Sequence, residues 1–355
     1  MPERAVAIIG YGVAGRVFHG PLIAATEGLR VAAIVTRDPE RRREAAQDHP
    51  AAAIYDTPED LWEDAGKLDA VVIAAPNDAH APLASAAIDL GLAVVVDKPL
   101  ALNSGEATQL LDHAERAGAL LTVFQNRRWD SDQLTLAALL AEGSLGNILR
   151  YESRFERWRP EPQQDAWRER NTPEQGGGLL LDLGSHLVDQ ALHLFGPAES
   201  IYAEIDNRRG LPADDDDFLV LTHSSGVISH LHASALTAAP GPRLRVLGTE
   251  AALLVRDLDS QEDRLRAGQR PDTVADWGVE PEHSRPRLIA GERSVPLRGQ
   301  PGDWPRFYAL FAAAIAGEGP PPVDPRDAVQ TLRVLEAARR SAAERQIIQL
   351  QASAS

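Results

Sequence analysis

The chain reads as an α/β protein in two parts. A doubly wound parallel sheet is expected over residues 1–124, and an α+β domain with a large, mainly antiparallel sheet over residues 125–355. Three observations predict this. Short β-branched or alanine-rich runs alternate with helical segments through the first third, the pattern of parallel strands joined by crossover helices. Runs such as AVVIAAP and LAVVVDKP are almost wholly apolar, so both faces of that sheet are covered. From about residue 150 the polarity instead alternates with period two, as in a sheet with one wetter face.

Strands of the first domain are expected at Ala5–Gly10, Val31–Thr36, Ala70–Ala75, Ala93–Asp97 and Leu120–Phe124. Helices are expected at Pro39–Asp48, Pro58–Ala65, Ala79–Leu90 and Asn103–Ala117, several opened by a capping Asp, Asn or Thr. In the second domain RYESRFERW, SIYAEI, DDFLVLTH, GVISHLHASA, RLRVLG and AALLVRDL read as consecutive strands. Residues from Ser260 to about Pro301, rich in Arg, Pro, Gly and acids, read as a long surface excursion. The four acids Asp214–Asp217 read as a solvated loop. A helix over about Asp327–Arg345 closes the chain.

With 355 residues and 44% hydrophobic content there is material for about two cores. Lys and Arg number 36 against 52 Asp and Glu, a net charge of −16, which argues against nucleic acid or an anionic membrane as principal partner. There is no cysteine, hence neither a disulfide framework nor a thiolate nucleophile. The opening MPERAVAIIGYG runs straight into glycine turns, and no apolar run approaches the roughly 18 residues of a membrane span. A cytoplasmic protein is expected.

The first strand leads into IIGYGVAGRVF, which carries Gly10, Gly12 and Gly15 as Gly-x-Gly-x-x-Gly at the entry to a helix. In that context Gly10 permits the tight turn, Gly12 lets the backbone approach a pyrophosphate, and Gly15 allows close helix–strand packing. A dinucleotide-binding Rossmann domain is therefore expected, with Tyr11, Val13 and Ala14 completing the loop. About 20 residues beyond the motif, where an acid would accept from the ribose of NAD, the second strand ends AAIVTRDPERRRE. Thr36, Arg37 and Arg41 offer donors and positive charge to the 2′-phosphate of NADP, and Asp38, two residues late, either caps the next helix or reaches back to the ribose with both arginines solvated. NADP is the preferred cofactor, with NAD as the second choice.

Further strand tips collect on the edge where ligands of doubly wound folds gather. Ala75, Pro76, Asn77 and His80 follow one strand, Asp97 and Lys98 the next, and Gln125 and Asn126 the last; all join the cofactor set. Lys98 is either a plain surface cation or an ammonium that polarises a substrate oxygen. Downstream, GGLLLDLGSHLVDQALHLFG places Asp182, His186, Asp189 and His193 at helical spacings of four, three and four. Such a ladder suits an acid/base site, a metal site or a solvated edge. A metal-dependent hydrolase would need a second ligand cluster, for which only His230 and His232 offer themselves, and no metal is assigned. A regulator that binds cofactor without catalysis would keep the glycines and lose Lys98, Asp182 and His186.

GYGVAGRVFH, PNDAH, DKPLA, VFQNRRWDSD, the Gly-rich approach to LLLDLGSHLVDQAL, and RVLGTEAALLV together resemble the Gfo/Idh/MocA family (glucose-fructose oxidoreductase, inositol dehydrogenase, rhizopine catabolism), in order along nearly the whole chain. The resemblance implies an NAD(P)-dependent enzyme interconverting an alcohol and a carbonyl on a sugar, polyol or cyclitol, with the active site between its two domains. It places the family's Glu-Lys-Pro lysine at Lys98, with Asp97 in place of the usual glutamate, and the catalytic aspartate and histidine at Asp182 and His186. It sets Trp167 and Arg168 at the nicotinamide end of the cofactor. Lys98, Arg127 and Arg128, Trp158 (equally a core residue), Asp182, His186 and His230 or His232 are the expected substrate contacts. Family members pair through the broad sheet, so a homodimer or homotetramer is expected. An imidazole, whose ordinary pKa lies near neutrality, can exchange the hydroxyl proton while an ammonium steadies the developing alkoxide; either Lys98 or His186 makes the transfer itself.

Overall fold

The computed structural model describes residues 3–162 and 167–350. Two compact units emerge. The first takes in the chain up to Trp129 together with Ser260–Trp277 and Asp303–Val329; the second takes in Asp130–Asp259, Gly278–Gly302 and the chain from Gln330 onward. Two stretches that a division after residue 124 gives to the second domain thus return to the first.

The first unit holds β1 (Arg4–Ile9), β2 (Leu29–Val35), β3 (Ala53–Tyr55), β4 (Ala70–Ile73), β5 (Ala93–Asp97) and β6 (Leu121–Phe124). They pair in parallel in the order β3-β2-β1-β4-β5-β6. The order reverses direction between β1 and β4, the switch point at which such sheets bind ligands. Strand β3, three residues on a half-buried edge, is too short to leave a pattern in the sequence. Helices at Pro39–Asp48, Pro58–Trp62, His80–Asp89 and Ser104–Ala117 connect the strands. Asp38, Thr57 and Asn103 cap three of them through their side chains, each satisfying N–H groups the helix leaves unpaired.

A helix at Pro305–Ile315 completes this unit's core, setting Phe307 against Phe124 and Tyr308 against both Phe124 and His19, with Phe311 packed on Tyr308. Phe124 and Phe307 meet edge to face, with centroids 4.9 Å apart, the geometry favoured by the ring quadrupoles. The expected surface excursion from Ser260 is corrected at its first turn: Gln261–Arg266 is a helix, and Leu265 belongs to the same core.

In the second unit β7 (Ile148–Glu156), β8 (Ala198–Asp206), β9 (Asp216–His223), β10 (Ile228–Ser234), β11 (Leu244–Gly248), β12 (Ala252–Val255), β13 (Arg287–Ala290), β14 (Arg293–Pro296) and β15 (Ile348–Gln349) form one sheet. Its order is β14-β13-β12-β11-β7-β10-β9-β8-β15, antiparallel except where β7 meets β10. The hairpin β13–β14 is a second correction to the excursion, whose residues extend the sheet.

Alternation along these strands sorts the two faces. Tyr151, Ser153, Phe155, Leu231 and Ala233 are buried on the face packed by the helix Ser185–Phe195. The other face carries a ladder of ion pairs, from Arg245 through Glu152, Arg154 and Glu156 to His232 and Asp216. The acids Asp214–Asp217 also depart from expectation, because Asp214, Asp215 and Asp217 are buried and Asp216 and Asp217 open β9. Alternation drives Asp217 inward with Leu219 and Leu221, which a reading of charge alone does not register.

Candidate functional site

At the tip of β1 the backbone is too crowded for any residue but glycine at two positions. Gly10 has φ +96°, and a Cβ there would lie 2.4 Å from the carbonyl oxygen of Ala74. A Cβ on Gly15 would lie 2.0 Å from the carbonyl oxygen of Gly10. Gly12 differs: the nearest atom to a Cβ there is Nη1 of Arg41, 3.8 Å away, so its side faces space edged by a guanidinium. The chain then turns into a helix whose first stretch, Ala14–His19, is π-helical. This cradle fits a dinucleotide, because the open glycine, the helix start and the nearby cation are what a pyrophosphate requires. Tyr11 adds backbone only. Its ring is buried, and its hydroxyl donates to Asp48 at 3.1 Å.

At the tip of β2, Thr36 is buried and its N–H donates to the Tyr55 carbonyl. Arg37 and Arg41 are exposed. Asp38 accepts from the backbone N–H groups of Glu40 and Arg41, both at 2.9 Å, and the bond from Arg41 is the leading reason its carboxyl sits below its ordinary pKa. The carboxylate that follows the tip of β2 is therefore engaged as a helix cap.

The tips of β4 and β5 are tied by His80. Its Nδ1 lies 2.7 Å from the Pro99 carbonyl and its Nε2 2.9 Å from the Ala75 carbonyl, so both nitrogens are taken by protein, and the ring braces two loops. Asn77 is buried beside it. The Asp97 carboxylate accepts from the Lys98 N–H at 2.8 Å, holding the turn that carries the ammonium. Beneath lies a pair that the sequence reading passed over: His19 and Tyr308 share a 2.5 Å hydrogen bond, both fully buried. Burial pushes the His19 imidazole down to about 4, against the opposing pull of Asp97. Burial, reinforced by Asp97, pushes the Tyr308 phenol up. The available signal was the histidine four residues past Gly15.

In the second unit Asp182 sits in a π-helical turn, Leu180–Gly184, that runs into the helix Ser185–Phe195. Such wide turns gather at functional sites. Asp182 is half-buried, His186 and Asp189 are buried, and His193 is exposed. The His186 ring faces Phe155 at 6.3 Å between centroids, and the Arg243 guanidinium stacks on Phe155 at 4.2 Å.

Of the other expected substrate contacts in this unit, His230 and His232 lie across the sheet from Phe155. His232 lies on the opposite face of the sheet from Phe155, with Nδ1 2.7 Å from Glu156; His230 shares that face and meets Arg150 at 3.1 Å. Trp158 is 57% exposed just past β7. Arg127 is buried in the first unit, 2.6 Å from Glu262 and over the Trp304 ring. Arg128 pairs with Asp327 at 2.9 Å. Gln125 and Asn126 are buried at the tip of β6. Trp167 and Arg168 open the helical turn Trp167–Arg170, and their side chains lie outside the described residues. Among the described residues no cluster of three or more His, Asp or Glu is arranged to hold a metal ion, and no helix is long and apolar enough to cross a membrane.

Comparison with known proteins bears on this geometry. Residues 4–125 match the model of the oxidoreductase family with an NAD-binding Rossmann fold, and residues 134–254 match the GFO/IDH/MocA C-terminal domain. The chain is 38% identical over 343 residues to the oxidoreductase YdgJ of Escherichia coli K12, covering 96% of each. It is 33% identical over 351 residues to the NADP(+)-dependent scyllo-inositol 2-dehydrogenase IolW of Bacillus subtilis 168, covering 98% of this chain and 96% of that one. Among solved structures, the oxidoreductase YPO2259 of Yersinia pestis superposes with a TM-score of 0.91 at 39% identity, covering 99% of both chains.

Arg127 has a role that the geometry makes testable. Burial pushes the Glu262 carboxyl up, but Arg127 and Arg266 outweigh it and hold its pKa below the ordinary 4.5. A depressed folded-state pKa adds stability that is present above 4.5 and is lost as pH falls through the folded value. Arg127→Ala leaves Glu262 with Arg266 as its remaining cation and is expected to destabilise the protein at neutral pH by about 1–3 kcal/mol, the scale of one lost charged hydrogen bond. The deficit should shrink in acid as Glu262 protonates. Urea unfolding at pH 7.5 and pH 4 checks both, and a pH-independent deficit would show that Arg127 stabilises through packing alone.

Proposed function

We propose, on the premise that this chain belongs to the GFO/IDH/MocA family and is an NAD(P)-dependent dehydrogenase, that it interconverts a secondary alcohol and a ketone on a sugar, polyol or cyclitol. NADP(H) is the preferred cofactor and NAD(H) the second. The likeness to IolW makes scyllo-inositol and the corresponding inosose the first pair to assay. The observation that carries the cofactor reading is the tip of β2, where Asp38 is bound as a helix cap while Arg41 reaches to Gly12.

When bound, the nicotinamide supplies the acceptor or donor for the hydrogen and its electron pair. The chain's own groups do the rest. Gly10, Gly12 and Gly15 with the following helix start hold the pyrophosphate, and Thr36, Arg37 and Arg41 hold the 2′-phosphate. Lys98, steadied by Asp97 and by the His80 brace, polarises the substrate oxygen. His186 exchanges the hydroxyl proton, and Asp182, one turn earlier, orients that ring or binds a neighbouring substrate hydroxyl. A regulator without catalysis has no use for an ammonium, a carboxylate and an imidazole at these three positions.

Three outcomes test this. Lys98→Ala and His186→Ala should each lower turnover of the cyclitol pair by about two to four orders of magnitude, with NADPH affinity retained by fluorescence titration; full turnover in both removes the assignment. NADPH should bind the wild type more tightly than NADH. Arg41→Ala should weaken NADPH by about ten- to a hundredfold, the equivalent of one charged hydrogen bond, and leave NADH unchanged, while Thr36→Asp should invert the preference; equal wild-type affinities would refute the 2′-phosphate reading. The charged face of the nine-stranded sheet is the proposed surface for pairing into a homodimer or homotetramer, so light scattering at micromolar concentration should give a multiple of 38.4 kDa, and a monomer would count against it.

A further inference from the structure

The glycine run before the Asp182 helix and the four acids that lead from the β8–β9 connection into β9 are far apart in sequence, and the structure brings them together. Asp214 Oδ2 accepts from the Leu180 N–H at 2.6 Å, and the Asp214 carbonyl accepts from the Leu179 N–H at 3.1 Å. Gly178, with φ +95°, makes this possible, because a Cβ there would fall 2.4 Å from Asp214 Oδ1 and 2.6 Å from Oδ2. The Asp182 N–H in turn donates to the Gly178 carbonyl at 3.2 Å. The turn carrying Asp182 therefore hangs from the Asp214 carboxylate.

The four acids have different surroundings. Asp215 is held by Arg209 at 3.0 Å, and Arg209 also meets Glu169. Asp216 faces Arg208 and His232. Asp214 has Arg339 of the helix Pro325–Glu344 at 3.8 Å from Oδ1. Asp217 is fully buried, and no described cation lies within ion-pair distance of it. Two neighbouring buried carboxyl groups cannot both carry charge cheaply. A proton on Asp217 would make it a donor toward Asp214, whose Oδ2 already accepts from Leu180 and whose Oδ1, like both oxygens of Asp217, is buried with no other hydrogen-bond partner.

We propose that Asp214 is a positioning residue for Asp182 and His186, and that Asp217 supports it as the protonated partner of a carboxyl pair. Burial foremost, and then the charge of Asp214, push the Asp217 carboxyl well above its ordinary value, in keeping with that arrangement. The proposal rests on Asp182 and His186 acting as described above, and it identifies what sets their helix in place.

The test uses the full chain with Asp214→Ala, Asp214→Asn and Asp217→Asn. In Asp214→Ala, hydrogen exchange of amides 179–186 should accelerate at least about tenfold. Turnover of the inosose with NADPH should fall by about ten- to a hundredfold, the scale of a small misplacement of reacting groups, with NADPH affinity unchanged. Asp214→Asn keeps an oxygen for the Leu180 N–H and should restore most of both. Asp217→Asn supplies a permanent donor and should retain neutral-pH turnover. A folded-state pKa raised above 3.8 adds stability that is present in acid and lost as pH rises. The Tm of Asp217→Asn should thus gain on the wild type as pH rises above 3.8.

Unchanged exchange at 179–186 in Asp214→Ala overturns the proposal, as does accelerated exchange with normal turnover. So does an Asp217→Asn Tm that stays a constant amount below wild type across pH. If the wild type does not turn over the inosose, the substrate reading fails, and the exchange and stability measurements still decide this one.

Discussion

The contact on which the first unit depends is the approach of the β1 tip to the β4 tip at Gly10. With only 2.4 Å between an imagined Cβ and the Ala74 oxygen, any other residue would push the two central strands apart at their ends. Gly15 packs as closely beneath Gly10, so the turn and the helix after it are placed by backbone sterics alone. Everything at this edge of the sheet inherits that placement. The space beside Gly12, the reach of Arg41 and the His80 brace all follow from strands whose ends cannot separate. An NAD(P)-binding Rossmann domain is the outcome, in a chain of the GFO/IDH/MocA family.

The second unit obeys a different constraint, the alternation of side chains along a strand. It sorts residues that lie next to one another in sequence into separate roles. Glu156 faces His232, while Phe155 faces His186 and Arg243. Asp216 joins the ion-pair ladder, and Asp217 is driven into the interior. A single step along β7 or β9 therefore separates a group fit for surface pairing from one that shapes the surroundings of the Asp182 helix.

Buried charge follows from both constraints. Arg127 and Glu262 are brought together by Ser260–Trp277, the segment that rejoins the first unit after the chain's first passage through the second. Arg209 and Asp215 pair within the second unit with both side chains nearly inaccessible. Each such pair stabilises mainly by not being broken, since a lone buried ion costs far more than the pair gains. A motif of arginines next to a strand tip, as in QNRRWD, can therefore mark a structural joint as readily as an anion site.

Much of the architecture was legible in the sequence because it is written in local terms. Apolar runs bounded by turns, capping residues at Asp38, Thr57 and Asn103, and the glycine spacing after β1 depend on neighbours a few residues away, so strands and crossover helices fall within a few residues of their expected bounds. The positions of Lys98 and of the Asp182 and His186 pair on their elements were legible for the same reason. Tertiary structure decided whatever depends on partners distant in the chain. It gave Arg127 to Glu262, turned His232 away from His186, buried three of four consecutive aspartates, and drew Leu265 and Tyr308 into a core that β-strands up to Phe124 had begun. No local pattern encodes these, because a charged or aromatic side chain has the same propensity whether its partner is three residues away or two hundred, and only the folded chain fixes which partner it meets.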